Sequence, residues 1–227
     1  MRAFLGPAKG YFVDVGANDP EDGSQTFHLE RDGWTGVLIE PQPALAERLR
    51  KRRKATVFAV ACSSPANSGH VLPLHVAGKM SSLDRRQMAP GAVPQATVDV
   101  PIRTLDEILS EARAPMPIDF LSIDVEGHEI EVLSGFDFAR WQPRLVLLED
   151  NVADRAKLSF MRKAGYRLIR HVGFNGWYVP ANTAGTGGWR DRVEILRKYY
   201  FALPFRRFRN LSRRLRQPFK DRRAIRH

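Results

Sequence analysis

Between residues 11 and 165, short apolar runs alternate with stretches of helical period, and this alternation restricts the fold more than any other feature of the chain. Apolar runs lie at 11–15, 34–40, 56–62, 118–123 and 144–149, and helical patterns at 24–31, 44–54, 104–114, 129–133 and 155–165. A β-α-β order on both sides of one interruption predicts an α/β, Rossmann-like, mostly parallel sheet with helices on both faces. The interruption, about 68–103, holds two alternating segments, 71–77 and 97–103, that are expected to pair as a small antiparallel β insertion. Between them lies GKMSSLDRRQMAPGAVPQ, long for a loop in a compact domain and expected to be a lid or substrate loop. Segments 166–171 and 176–180 flank Gly173-Phe174-Asn175 and predict a closing hairpin, the antiparallel C-terminal edge of the sheet.

Ligands of such sheets collect where strands end. The first run, YFVDVGAND at 11–19, carries Asp14 near its carboxyl end and stops at Gly16, where the missing Cβ would allow a ligand close to the backbone. A dinucleotide site needs G-x-G-x-x-G, and the turn Gly16-Ala17-Asn18-Asp19-Pro20 lacks the second glycine. Asp14, Asp19, Glu21 and Asp22 would repel a pyrophosphate; they suit a positively charged cofactor such as S-adenosylmethionine, although an ordinary strand-to-helix turn with a solvated acidic lip accounts for them too. Glu40 ends the second run, 26 residues after Asp14, where a carboxylate can accept two hydrogen bonds from a ribose diol. Ala61 and Cys62 end the third, and small or apolar groups there suit an adenine edge. Cys62 reads as packing.

The stretch IDFLSIDVEGHEIEVLSGF, 118–136, sets Asp124, Glu126 and His128 just past another strand, where charge is costly unless water, a ligand or a metal compensates. The strand RLVLLEDN, 144–151, ends in Glu149, Asp150 and Asn151. Carboxylates at the ends of two neighbouring strands suit a hard cation, so a Mg²⁺ held by Asp124 with Glu149, Asp150 or Asn151 is an alternative reading of these residues.

VDVGAND, GWTGVLIEP, VPIRTLDEIL and above all DFLSIDVEGHEIEVLSGF followed by PRLVLLED resemble the FkbM family of S-adenosylmethionine-dependent methyltransferases, over about residues 11–180. The resemblance implies a class I methyltransferase fold with seven strands, the last antiparallel. It also implies methyl transfer to oxygen on a sugar, glycolipid or polyketide-like acceptor. Carried onto this chain, it puts Asp14, Gly16 and Asn18 at the methionine end of the cofactor and Glu40 on the ribose, with Asp124, Glu126 and His128 facing the transferring methyl. His128 is then the natural general base, and Asp124 can orient it or take the proton itself. The family's N-terminal covering helices are expected to be short or missing.

Charge divides the chain in two. Residues 186–227 hold 14 Lys and Arg against 3 Asp and Glu, so the entire net charge of +11 falls there and residues 1–185 are balanced. The expected organisation is therefore a methyltransferase domain, 1–185, and a basic, aromatic-rich extension, 186–227. Clustered Arg with Trp, Tyr and Phe over 190–227 suits an anionic membrane surface, with nucleic acid as the competing partner. A nucleic-acid methyltransferase, or a non-catalytic binding module working through the tail, is thus the alternative function. No N/D-P-P-Y/F stacking motif follows any strand. A single cysteine and the lack of a secretory pattern point to the cytoplasm, peripherally on the inner face of a membrane.

Overall fold

The computed structural model describes residues 2–6, 9–83, 93–152, 155–185 and 187–203. Its strands are β1 (Tyr11–Val15), β2 (Thr35–Ile39), β3 (Thr56–Phe58), β4 (Ala61–Cys62), β5 (Val71–Val76), β6 (Ala96–Arg103), β7 (Phe120–Ile123), β8 (Leu145–Glu149), β9 (Tyr166–Val172) and β10 (Asn175–Pro180). Its helices are α1 (Arg2–Leu5), α2 (Phe27–Arg31), α3 (Pro43–Arg52), α4 (Leu105–Glu111), α5 (Glu129–Ser134), α6 (Phe138–Trp141), α7 (Ala156–Lys163) and α8 (Trp189–Leu196). Seven strands form one sheet in the order β3-β2-β1-β7-β8-β10-β9. Pairing is parallel from β3 through β8 and antiparallel on both sides of β10. This is the expected Rossmann-like methyltransferase sheet.

Both faces are buried, because consecutive side chains of a strand point to opposite sides. Val13 and Val15 of β1, with Val37 and Ile39 of β2, join a core that includes Leu105, Ile108 and Leu109 of α4. Phe12 and Leu38, one residue out of phase, join the opposite core with Leu29 of α2 and Leu49 of α3. Helix α4 starts where the sequence places it, with a capping box between Thr104 and Glu107.

Three expectations change in detail. The run 56–62 is not one strand. β3 stays in the main sheet, while β4 turns away and pairs with β6, so a second sheet forms in the order β4-β6-β5. The antiparallel partnership of 71–77 with 97–103 is present, Val71 opposite Pro101 through Val76 opposite Ala96. The closing hairpin forms the antiparallel edge of the sheet, as expected, but its two strands lie out of chain order. β10 inserts between β8 and β9, and β9 becomes the edge. Of the expected lid loop, residues 84–92 lie outside the described residues; Ser82 before them bridges back to His75.

The third change concerns the extension. Residues 189–203 are part of the body rather than an appendage. α8, followed by a π-helical turn at Arg197–Phe201, packs against β9. Tyr199 is fully buried and Leu203 nearly so, both in the core that holds Val13 and Leu121. The Tyr199 hydroxyl donates to Asp150, Lys198 Nζ lies 2.9 Å from His171 Nδ1, and Arg170 Nε donates to Asp191 at 3.0 Å. Residues 204–227 lie outside the described residues. Among the described residues no helix is long and apolar enough to cross a membrane.

Truncating a fully buried aromatic removes both its packing and, here, the partner of a buried carboxylate. Tyr199→Ala is expected to lower stability by roughly 3–5 kcal/mol, and Tyr199→Phe by about 1–3 kcal/mol, in urea unfolding of the full chain. An extension that is only loosely attached would leave both unfolding curves where they are.

Candidate active site

The carboxyl ends of β1, β2 and β7 converge on a cleft of about 550 Å³ including its open mouth. Gly16, Asn18, Glu40, Ala61, Asp124, Glu126 and His128 all line it. Seven of the sequence-predicted positions, scattered over more than a hundred residues, therefore meet at one place. Among the described residues no Lys or Arg lines it, and the charged members are Glu40, Asp124 and Glu126. The insertion closes one side through Leu74, Ser81, Ser82 and Leu83, tied to the rim where Gln42 Nε2 donates to Ser81 Oγ at 3.3 Å.

Gly16 has a different task from the one its sequence context suggests. Its φ is +85°, and a Cβ built on it would meet the Asp124 carbonyl oxygen at 1.9 Å. The missing side chain makes room for the end of β7, not for a ligand. The Gly16 and Ala17 amides both donate to the Ile39 carbonyl, at 2.9 and 3.1 Å, and the Asp124 amide donates to the Val15 carbonyl at 3.0 Å. These bonds lock three strand ends together.

Glu40 is held from both sides. One carboxylate oxygen accepts from the Asn18 amide at 2.9 Å and the other from the Gln42 amide at 2.9 Å. Asn18 turns that amide inward by adopting a left-handed backbone, φ +52°, which asparagine tolerates well. Burial pushes the Glu40 carboxyl upward and the two amides pull it back. Each oxygen keeps a lone pair for a donor in the cleft, the arrangement a vicinal diol needs.

Asp14 does not line the cleft. It is buried behind it, 3 % exposed, and accepts from Thr26 Oγ1 at 2.7 Å. Thr26 is held in turn by the buried Arg53, whose guanidinium also reaches the Pro20 carbonyl and lies 3.3 Å from Glu30. Burial raises the Asp14 carboxyl to about 6 despite Thr26 and Arg53. Its role is to pin the 19–27 loop. Asp19 is also diverted: it accepts from the Glu21 and Asp22 amides and pairs with Arg48 at 2.8 Å. The acidic character expected of the turn is thus supplied to the cleft by Glu40, Asp124 and Glu126 instead.

On the β7 side, Glu126 adopts φ +52° and Gly127 φ +99°, a tight turn that glutamate rarely accepts and that Glu129 enforces. Glu129, fully buried, accepts from the Gly127 amide at 2.9 Å and pairs with Lys157 at 2.6 Å. Burial opposes its charge, but Lys157 and the loop amide outweigh burial and hold the carboxyl below its ordinary value. Asp124 and Glu126 stand in this negative field. Burial and the Glu129 charge raise Asp124, and burial with the charges of Asp124 and Glu129 raises Glu126 to about 7.

His128 precedes α5, and its Nε2 lies 2.9 Å from Ser63 Oγ, which also accepts from Asn67 Nδ2 at 2.9 Å. Its Nδ1 is 3.8 Å from Glu131. Through Ser63, His128 joins the turn after β4 to the β7 loop while its ring lines the cleft.

The magnesium set expected of Asp124, Glu149, Asp150 and Asn151 does not assemble. Asp150 accepts from the Val152 amide at 2.8 Å and from Tyr199, which leaves it facing the core. Burial and the charges of Asp124 and Glu129 push Glu149 upward, so it stays protonated and shares its proton with Glu129. Among the described residues no three His, Cys, Asp or Glu side chains are grouped to hold a metal ion.

Sequence reasoning missed Glu129, Lys157, Ser63 and Arg53. Only Ser63, a small polar residue directly after the third apolar run, carried a local signal.

A mostly parallel sheet with one inserted antiparallel strand, and an acid-lined cleft at its carboxyl edge, make a Rossmann-like methyltransferase fold. The methyltransferase FkbM domain matches residues 14–168, and the chain belongs to that family. A methyltransferase FkbM from Methylobacillus flagellatus KT has a similar solved structure, with a TM-score of 0.48 and 15 % identity over 75 % of this chain. The match covers 43 % of that chain, less than half its length. Among proteins of curated function, none is similar in sequence.

Substituting Gly16 separates steric exclusion from backbone strain. Gly165 also has a positive φ, +83°, but open space where a Cβ would go. Gly165→Ala is expected to cost about 1–2 kcal/mol and Gly16→Ala at least about 3 kcal/mol in urea unfolding. Equal losses would mean that the Gly16–Asp124 contact is slack.

Proposed function

We propose that the protein transfers a methyl group from S-adenosylmethionine to a hydroxyl oxygen of a sugar, glycolipid or polyketide-like acceptor. The observation that carries this reading is a cleft whose charged lining, among the described residues, is carboxylate, with no Lys or Arg. Such a lining repels phosphates and attracts a cationic nucleoside. It also weighs against a nucleic-acid acceptor, whose backbone would have to approach Asp124 and Glu126.

Glu40, pre-set by the Asn18 and Gln42 amides, would accept both hydroxyls of the ribose. Ala61, Cys62, Ile39 and Val60 provide the small apolar wall that a purine needs. S-adenosylmethionine supplies an electrophilic methyl carbon on a sulfonium. A sugar hydroxyl is a weak nucleophile, and Glu126 is the residue best suited to take its proton as the new carbon–oxygen bond forms. Its carboxyl titrates at about 7, so at neutral pH a sizeable fraction is ionised and still basic enough to help. Asp124 keeps that affinity for protons high by its own charge, and Gly127 and Glu129 fix the loop that aims Glu126. His128 positions this loop against the turn after β4.

Two measurements test the reading. Glu40→Gln should weaken S-adenosylhomocysteine roughly 10–100-fold in calorimetric titration, the loss of one or two charge-assisted hydrogen bonds. Since the ionised form of Glu126 is the active one, kcat/KM with an accepted hydroxyl substrate should rise with pH through about 7 and level off above it. Glu126→Gln should lower the plateau by about 10²–10⁴-fold and abolish that acid limb. An unchanged limb in Glu126→Gln would assign the proton to another group.

A further inference from the structure

The outward side of residues 189–201 is unlike the rest of the surface. Trp189, Val193, Leu196, Tyr200 and Phe201 are all exposed, Trp189 and Phe201 by 71 % each. The first four recur at positions i, i+4, i+7 and i+11, the spacing of one helix face. The opposite face carries Ile195, Tyr199 and Leu203 into the core, so the stripe is not a misplaced interior surface. Arg190, Arg192 and Arg197 are exposed beside it. The two acids of the segment are paired, Asp191 with Arg170 and Glu194 with Arg197 and Lys198. Next to Tyr200, Arg155 and the α7 residues Ser159, Arg162 and Lys163 line a shallow recess of about 720 Å³, open mouth included, with no acid among its described lining residues.

We propose that this face, the α8 stripe with the α7 recess, docks on the surface of an anionic phospholipid bilayer. Apolar side chains rimmed by arginine on a convex helix match an interface whose acyl boundary lies just below a layer of phosphate. Trp189 and Tyr200 are the types that settle at such a boundary. Val193 and Leu196 have no ring with which to stack on a base, and this favours lipid over nucleic acid. The recess is lined by three cations and two hydroxyls, a donor set that suits a headgroup phosphate. Charge complementarity continues along the chain, because residues 204–227 add ten Lys and Arg against one Asp. Tyr199 ties the docking segment to Asp150, directly after β8, on the same edge of the sheet as the cleft.

The test uses the full chain and vesicles of phosphatidylcholine, with or without roughly one third phosphatidylglycerol, in about 0.1 M salt. Wild type should bind the anionic vesicles at least about tenfold more tightly than the neutral ones in a sedimentation assay. The double variant Leu196→Ser/Phe201→Ser should lose at least about tenfold, and Arg162→Ala/Lys163→Ala about 5–25-fold. All four residues are exposed, and unchanged thermal unfolding verifies that each variant is folded. Brominated lipid should quench part of the tryptophan emission, and Trp189→Phe should remove that quenching. Wild-type binding by the Leu196→Ser/Phe201→Ser variant would overturn the proposal, because the charge of 204–227 would then suffice. Retention of a single-stranded oligonucleotide together with indifference to anionic vesicles would overturn it in favour of nucleic acid.

Discussion

The site depends on a contact that has no room for a methyl group. Where β1 ends, the Gly16 backbone lies against the carbonyl of Asp124, the first residue past β7. Backbone amides of Gly16 and Ala17 turn to the end of β2 at the same point. Three strand ends are thereby drawn into one corner, and the side chains that follow them, Asn18, Glu40 and Glu126, face a common space. A larger residue at position 16 would separate β1 from β7, and with them the two halves of the cleft. The positive φ of Gly16 and the steric exclusion act together, so glycine is required twice over.

Around that corner the protein gathers more carboxylates than solvation alone would support, and it manages each by a different means. Glu40 is satisfied by two amides. Glu129 is neutralised by Lys157 and shares a proton with Glu149. Asp14 is screened by Thr26 and, one step further, by Arg53. Asp124 and Glu126 are offset only in part, by the charge of Lys157, and they are the two left in the cleft. Buried charge without a partner is costly, so the place where the fold tolerates it is the place where a bound cation or a transferred proton relieves it.

The period of the apolar runs made the sheet, its parallel core and the insertion legible, because burial on both faces leaves an imprint on every strand. The convergence of Glu40 with the IDVEGHE loop was legible for the same reason: residues that follow parallel strands end on the same edge. The split of 56–62 into β3 and β4 was not, since both halves are apolar and only their partners differ. Nor was the fate of Asp14, which depends on Thr26 and Arg53, partners 12 and 39 residues away with no periodic signature. Position of a carboxylate on a strand is a local property; whether it faces a cleft or a buried guanidinium is not. The charge of the extension obscured its first part in a similar way, for Tyr199 and Leu203 sit among arginines and yet belong to the core.

The place of β10 in the sheet has a consequence for how the protein matures on the ribosome. Synthesis delivers β8 before the strand that will flank it, and β9 emerges with no neighbour at all, because its only sheet partner is β10. A nascent chain halted before residue 175 therefore displays β8, rich in leucine and valine, with the edge away from β7 unpaired, a ready template for another chain. Completion comes from the carboxyl side, when β10 slides between its two neighbours and α8 seals the edge with Tyr199. A chain cut short between residues 175 and 203 would lose the partner of that edge and the Tyr199 anchor together, a larger loss than their distance from the cleft suggests.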